Sequence, residues 1–350
     1  MCRGVARHGE GQATFEAAPN IALVKYWGMR DPSRGLPYNS SLSLTLDRMR
    51  TRTTVRFDPG LDADYLVLNR ENIRGPARED ASRFLDHVRE RSGFTSYAEI
   101  RTSNNFPTAS GLASSASGFA ALAGAASLAS GLRLSPRALS QLARLGSGSA
   151  SRSVFGGFVE WRAGRRPDGR DCYARPLVGP RHWASFRDIV VLIDDAPTKG
   201  VRSAEAMQST VRTSPYYFER QRELPGRIAR MRRAIVDRDA RALFPLIMEE
   251  CDSFRRVCET TVPSLDYLTS SSRAVLAEVR SMNDSAGRSV AAYTHDAGAH
   301  VHVFALAPDA REVRRRLGRI PGVRRTFELS AGPAGHSIGP APAILRAHKR

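Results

Sequence analysis

The sequence predicts a mixed α and β chain in two domains, the second in the split ferredoxin-like order. Three observations carry this. A length of 350 residues suits two domains at roughly 150 residues each. Alternating, β-branched runs at 41–46 and 51–57 read as antiparallel strands near the N-terminus. In the second half the pattern runs strand, helices, strand, strand, helix, strand. The expected boundary lies near residue 185, dividing 1–185 from 186–350.

In chain order, 13–27 reads as a strand running into a turn. Strands at 41–46, 51–57 and 65–68 follow. The apolar stripe Phe84, Leu85 and Val88 predicts a helix over 81–91. A short strand at 98–102 precedes a small-residue helix over 113–129. Pro136, near a first turn, opens a helix to 145. A strand at 155–161 is broken by Gly156-Gly157, and 162–170 is a Gly/Pro/Arg loop. The run Asp188 to Ile193 is a buried strand. Helical patterns cover 203–211, 217–236, 240–257 and 271–282. Strands at 290–294 and 301–306, a helix at 310–317 and a strand at 323–329 complete the order.

Composition excludes several classes. With 41% hydrophobic and 25% charged residues, the chain can bury a core and is not disordered throughout. No stretch of ~18 apolar residues spans a membrane. Residues 1–12 lack an apolar segment of signal-peptide type, so a cytoplasmic location is expected. Cys2, Cys172, Cys251 and Cys258 form no CxxC pair and suit free thiols. The net charge of +18 raises nucleic acid as a partner. Yet all but three of the 53 cations are arginine, spread over nearly every segment without interleaved aromatics. Solvated helix faces fit better, and any duplex binding is expected to be weak and nonspecific.

Four segments carry chemistry. From Asn104 to Ala116 a strand gives way to a Gly/Ser-rich loop and a helix start. Free N–H groups and the dipole at a helix N-terminus suit phosphate, and small residues permit close approach. An ordinary capped helix would show the same composition. Lys25, in Ala18 to Gly28, is one of only three lysines and follows an apolar run. A compact ammonium near anions or a snorkelling side chain would each explain it. Gly146 to Arg152 holds Ser147, Ser149 and Ser151, able to wrap an anion, and Arg152, able to grip a carboxylate. Asp296, in Tyr293 to Gly298, is by itself a turn residue. His295, His300 and His302 lack the further ligands of a zinc site.

The string P-x-x-x-G-L-x-S-S-A at 107–116 resembles the phosphate loop of the GHMP kinase superfamily. Together with A-P-N-I-A-L-V-K-Y-W-G, G-S-G-S-A-S-R-S-V-F-G-G-F-V-E-W, M-Q-S-T-V-R-T-S-P and Y-T-H-D-A-G, it resembles the diphosphomevalonate decarboxylase family. The resemblance implies a two-domain α+β, GHMP-kinase-like fold: an N-terminal domain with the phosphate loop, a ferredoxin-like C-terminal domain, and a cleft between them. It implies ATP-dependent decarboxylation of mevalonate 5-diphosphate to isopentenyl diphosphate. Asp296 would be the base, Lys25 would stabilise phosphoryl oxygens, and Arg152 would hold the carboxylate and orient Asp296. Asn20, Tyr26, Ser147, Gly148, Ser149 and Ser203 would line the substrate pocket. ATP would bind at Asn105, Pro107, Ser110, Gly111, Leu112, Ala113, Ser114 and Ser115, bringing Mg²⁺ with it. Family members are often homodimers, which extends that expectation to this chain. Two positions depart from the pattern. Met29 stands where a second lysine is common, and Ala204 where some relatives carry an arginine. Either Arg30, Arg34 or Arg202 takes over, or the substrate has one phosphate. A kinase without decarboxylation is the remaining alternative, against which Asp296, Lys25 and Arg152 stand.

Overall fold

The computed structural model describes residues 9–106, 114–194 and 203–339. Strand β1 (Gly11–Ala17) and strand β2 (Asn20–Val24) divide what the sequence reads as one strand. The chain changes sheets at Ala18-Pro19. Proline has no N–H for a ladder, and the Pro19 carbonyl accepts from Leu46 at 2.9 Å. A hairpin not foreseen from sequence, β3 (Met29–Asp31) and β4 (Leu36–Pro37), precedes β5 (Ser41–Thr45), β6 (Thr51–Asp58), β7 (Tyr65–Leu68) and β8 (Glu71–Ile73). Helix α1 (Pro76–Ser92) begins earlier than its apolar stripe because Pro76 fits the first turn, where its missing N–H costs nothing. After β9 (Tyr97–Asn104) come α2 (Ser114–Ala129), α3 (Pro136–Gly146) and the single turn α4 (Ala150–Ser153). Strand β10 (Phe158–Trp161) starts later than expected, since Gly157 holds φ at 77°. It pairs with β11 (Ala174–Val178), another strand the sequence reading lacks.

The second half follows the expected order. Strand β12 (Phe186–Ile193) leads to α5 (Ser203–Thr213), α6 (Tyr217–Asp237), α7 (Ala240–Glu259) and α8 (Ser270–Ala286). Then come β13 (Ala291–His295), β14 (Val301–Leu306), α9 (Ala307–Leu317) and β15 (Val323–Leu329). Their sheet order, β13-β14-β12-β15, is the antiparallel ferredoxin-like arrangement. A last strand, β16 (His336–Ile338), returns to the first half and pairs with β1. The segment leading to it is bonded on the way. Asp47 N–H donates to the Ser330 carbonyl at 2.9 Å, Ser330 N–H donates to the Asp47 carboxylate at 2.7 Å, and Gly332 N–H donates to the Thr45 carbonyl at 2.7 Å.

A six-stranded sheet, β16-β1-β6-β9-β7-β8, carries α1 and α2, and a four-stranded sheet, β11-β10-β5-β2, lies beside it. The fold is α+β. The alanines of α2 explain themselves by packing, because they let the helix lie close on β1 and β6. A Cβ at Gly124 would overlap the Phe15 ring. Gly124→Val is therefore expected to destabilise by about 1–3 kcal/mol through overpacking, read as a lower urea midpoint with unchanged m. Strand β12 is apolar on both faces. Ile189, Val191 and Ile193 meet α8 and α9, while Val190 and Leu192 join a core with β2, β5, α6 and α7. That second core includes Ile21, Leu44, Phe158, Phe186 and Phe304, and so welds the halves beneath the cleft.

Candidate active site

The cleft is anchored where β2 ends. Lys25 is only 3% exposed. Its backbone N–H donates to Glu250 Oε1 at 3.1 Å, and its carbonyl accepts from Asn39 Nδ2 at 2.9 Å and Arg220 Nη2 at 3.3 Å. Glu250 is fully buried on α7, and only cations make that tolerable. Arg220 bonds one of its oxygens, and Arg227 Nη1 the other at 2.8 Å. A buried ionic node thus fixes the strand end, which leaves the Lys25 side chain no choice of direction. Its Nζ donates to the Ala22 carbonyl at 2.8 Å and to Asp296 Oδ1 at 2.7 Å.

Asp296 follows β13. Its backbone carbonyl closes the turn by accepting from Gly298 N–H at 2.8 Å, so its carboxylate is free to face Lys25. Burial alone would raise its pKa. The Lys25 charge and hydrogen bond, with His302 and Arg152 beyond, outweigh burial and hold it below the ordinary carboxylate range. Arg152 sits on α4, where Nε donates to Asn20 Oδ1 at 3.0 Å and Nη1 to Ser41 Oγ at 2.6 Å. Asn20 Nδ2 in turn donates to Ser153 Oγ at 2.7 Å and to the Ser149 carbonyl at 3.2 Å. Burial lowers the Arg152 pKa to about 10, against the opposing pull of Asp296 and Tyr26, so it stays cationic at neutral pH. Among the described contacts Arg152 makes no hydrogen bond to Asp296. It acts on Asp296 through charge, and Lys25 is the group that holds that carboxylate.

These groups surround one cavity of about 230 Å³, lined also by Tyr26, Ser147, Ser149 and Ser203. Tyr26 meets Trp161 edge-on at 4.8 Å. Its hydroxyl is buried without a protein partner, and burial pushes its pKa up. Gly148 serves this wall rather than the cavity, since a Cβ there would strike both rings. Sequence reasoning missed Met207 and Phe254, which with Trp27 form the apolar side of the cavity. Met207 opens the string M-Q-S-T-V-R-T-S-P, and its helical phase with Ala206 and Thr210 marks a buried stripe. Nothing local distinguishes Phe254 from other core residues.

Pro107, Ser110, Gly111, Leu112 and Ala113 lie outside the described residues, as do the Ser114 side chain, Lys199 and Arg202. Ser115, on the first turn of α2, lines both the cavity and a neighbouring apolar slot of about 210 Å³ with Leu66, Leu68, Ile100 and Phe119. Asn105 is spent on structure. It accepts from Arg50 N–H at 2.7 Å and donates to the Arg48 carbonyl at 2.8 Å. Met29 packs with Tyr26, Trp27 and Met207. Arg30 and Arg34 point elsewhere, donating to the carbonyls of Arg166 at 3.3 Å and Pro167 at 2.6 Å.

A family model described as the diphosphomevalonate decarboxylase-like N-terminal domain matches residues 17–174, and one for the mevalonate 5-diphosphate decarboxylase C-terminal domain matches 189–329. The diphosphomevalonate decarboxylase of Gibberella zeae is 42% identical over 314 residues, covering 85% of this chain and 82% of that one. The Bos taurus diphosphomevalonate decarboxylase is 40% identical, covering 90% and 80%. Among solved structures, MDDEF in complex with MVAPP, AMPPCP and magnesium superposes with a TM-score of 0.88 at 34% identity, covering 94% of this chain and 99% of that one. The mevalonate diphosphate decarboxylase from Staphylococcus aureus also gives 0.88 at 34%, covering 94% and 98%.

Proposed function

The chain belongs to the diphosphomevalonate decarboxylase family, and from that premise we propose how its cleft residues divide the work. The enzyme converts mevalonate 5-diphosphate to isopentenyl diphosphate with ATP and Mg²⁺, releasing ADP, phosphate and CO₂. The observation that carries the assignment of roles is the Lys25–Asp296 pair, 2.7 Å apart, facing one cavity with Arg152.

A tertiary alcohol is a poor nucleophile, and hydroxide is a poor leaving group. Bound ATP with Mg²⁺ supplies the phosphoryl group that lets this oxygen leave. The residues present suit that group. Helix α2 begins at Ser114 beside the cavity, where a helix N-terminus favours phosphate, and the apolar slot beside Ser115 has room for a flat base. Asp296 takes the hydroxyl proton, and Lys25 keeps it ionised and aimed. Nη2 of Arg152, with no partner among the described residues, is the atom left for the substrate carboxylate. Tyr26, Ser147, Ser149 and Ser203 place the remaining oxygens. Trp27, Met207 and Phe254 keep water from the carbon that gains positive charge as the oxygen departs. Incubation with ATP, Mg²⁺ and each mevalonate phosphate, following CO₂, ADP and phosphate together, tests this. ADP without CO₂ would make the chain a kinase.

A single-phosphate substrate is the second reading, carried by Met29, Ala204 and the diversion of Arg30 and Arg34 to backbone carbonyls. We expect the diphosphate to remain preferred. Met29→Lys should raise kcat/KM for the diphosphate about tenfold, the worth of one charge-assisted hydrogen bond. Side-by-side kcat/KM values on mono- and diphosphate decide it. A parent that prefers the monophosphate would overturn the preference.

We also propose a division near residue 185, supported by the start of β12 at Phe186. A cytoplasmic location is supported by the buried free thiols Cys172, Cys251 and Cys258. Homodimerisation rests on the habit of the family. No helix among the described residues is long and apolar enough to cross a membrane.

A further inference from the structure

Strand β12 buries one charged side chain within its apolar run. Asp188 is 0% exposed, and a carboxylate is costly to bury without a partner. Its Oδ2 lies 2.8 Å from Nδ1 of His302, itself 4% exposed on β14, and its Oδ1 has no protein partner. The sheet register places this pair. Val301, Val303 and Ala305 face α8 and α9, so His302 and Phe304 face the opposite side. Asp188 is level with Phe304, and His302 is level with Val190 on one side and Thr294 on the other. Asp296 lies two residues beyond Thr294, toward the cleft. His302 therefore stands between Asp188 on β12 and the end of β13, which Asp296 directly follows, close enough for its charge to be felt there.

We propose that Asp188 and His302 form a positioning pair behind Asp296, in which Asp188 orients the imidazole and holds its proton, making His302 a buried cation that keeps the Asp296 carboxylate charged and aimed at the reacting hydroxyl. The inference rests on Asp296 being the base. A carboxylate on Nδ1 fixes the tautomer and the orientation of the ring. Lys25 bonds Asp296 directly from the first half, and Arg152, committed to Asn20 and Ser41, adds its charge from there; the pair would add to them from the second half. His295 and His300 are each pushed down to about 4, first by burial, and so remain neutral at working pH. On α7, burial pushes Cys251 up to about 12, and Glu250 is saturated by Arg220, Arg227 and the Lys25 N–H. A cation at His302 acts on Asp296 in the same direction as Lys25, toward the ionised carboxylate.

The test is a carboxyl ¹³C titration of Asp296 in the parent, in His302→Gln and in Asp188→Asn, beside the pH profile of kcat. Losing the cation destabilises ionised Asp296, so its titration should move upward by roughly half to one pH unit in both variants. The acid limb of kcat should move with it, while KM changes less than about twofold. An unmoved titration with only a lower melting temperature would reduce the pair to a structural one. So would a parent imidazole at position 302 that ¹⁵N NMR finds neutral near pH 7, a reading that needs no variant to fold. A parent that releases no CO₂ would instead defeat the assigned activity, and the ¹³C titration would still decide the pair.

Discussion

Asp296→Asn is expected to lower kcat at least about a hundredfold, with a much smaller change in KM. The amide keeps the shape and can still accept from Lys25 Nζ, so the cavity should survive. What it loses is the ability to take a proton. In the parent, Lys25, His302 and Arg152 hold Asp296 below the ordinary carboxylate range against the opposing effect of burial. The base is therefore active when ionised, and its activity is lost only as pH falls through that depressed value. On this account kcat has no acid limb above about pH 5 from Asp296, whereas Asp296→Asn is slow at every pH. Single-turnover measurements across pH check both statements. Near-parent turnover would return Asp296 to the role of a turn residue.

Arg152→Lys and Lys25→Arg should each cripple the enzyme despite keeping the charge. A lysine at 152 cannot bond Asn20 and Ser41 and also present a free N–H pair to a carboxylate. Each lost charge-assisted bond is worth about 1.5–3 kcal/mol, or ten- to a hundredfold in kcat/KM. An arginine at 25 meets a different obstacle. The ammonium sits in a slot 3% exposed, bonded to the Ala22 carbonyl and Asp296. A longer, planar group must displace Asp296 or leave the Ala22 carbonyl unpaired. We expect kcat to fall about a hundredfold, with the melting temperature read in parallel to separate misplacement from unfolding. A fully active Lys25→Arg would show that the scarcity of lysine in this chain has no bearing on position 25.

What the sequence revealed depended on how local the signal was. The ferredoxin-like order of the second half was legible because each element carries its own period, from the apolar run of β12 to the stripes of α6 and α7. The division of β1 from β2 was not, because strand-forming residues stand on both sides of Pro19 and only the partner strands differ. The polar face of the cavity could be read because its members other than Ser203 lie in dense, unusual strings. Glu250 and Phe254 could not, since a buried glutamate and a core phenylalanine become distinctive only once α7 is laid against the end of β2. Arg30 and Arg34 show what a sequence leaves open. Charge near the right position suggested a phosphate contact, but the 162–170 loop uses both for its own carbonyls.

The return of β16 to the first sheet bears on how the cleft can breathe. The second half leaves the first through the link between β11 and β12, and rejoins it through 330–338, bonded at Thr45, Asp47 and β1. Two separated attachments, added to the core that Ile21, Leu44, Phe158, Phe186 and Phe304 share, tie the walls of the gap to each other at several points, so two substrates entering it meet walls held in one alignment.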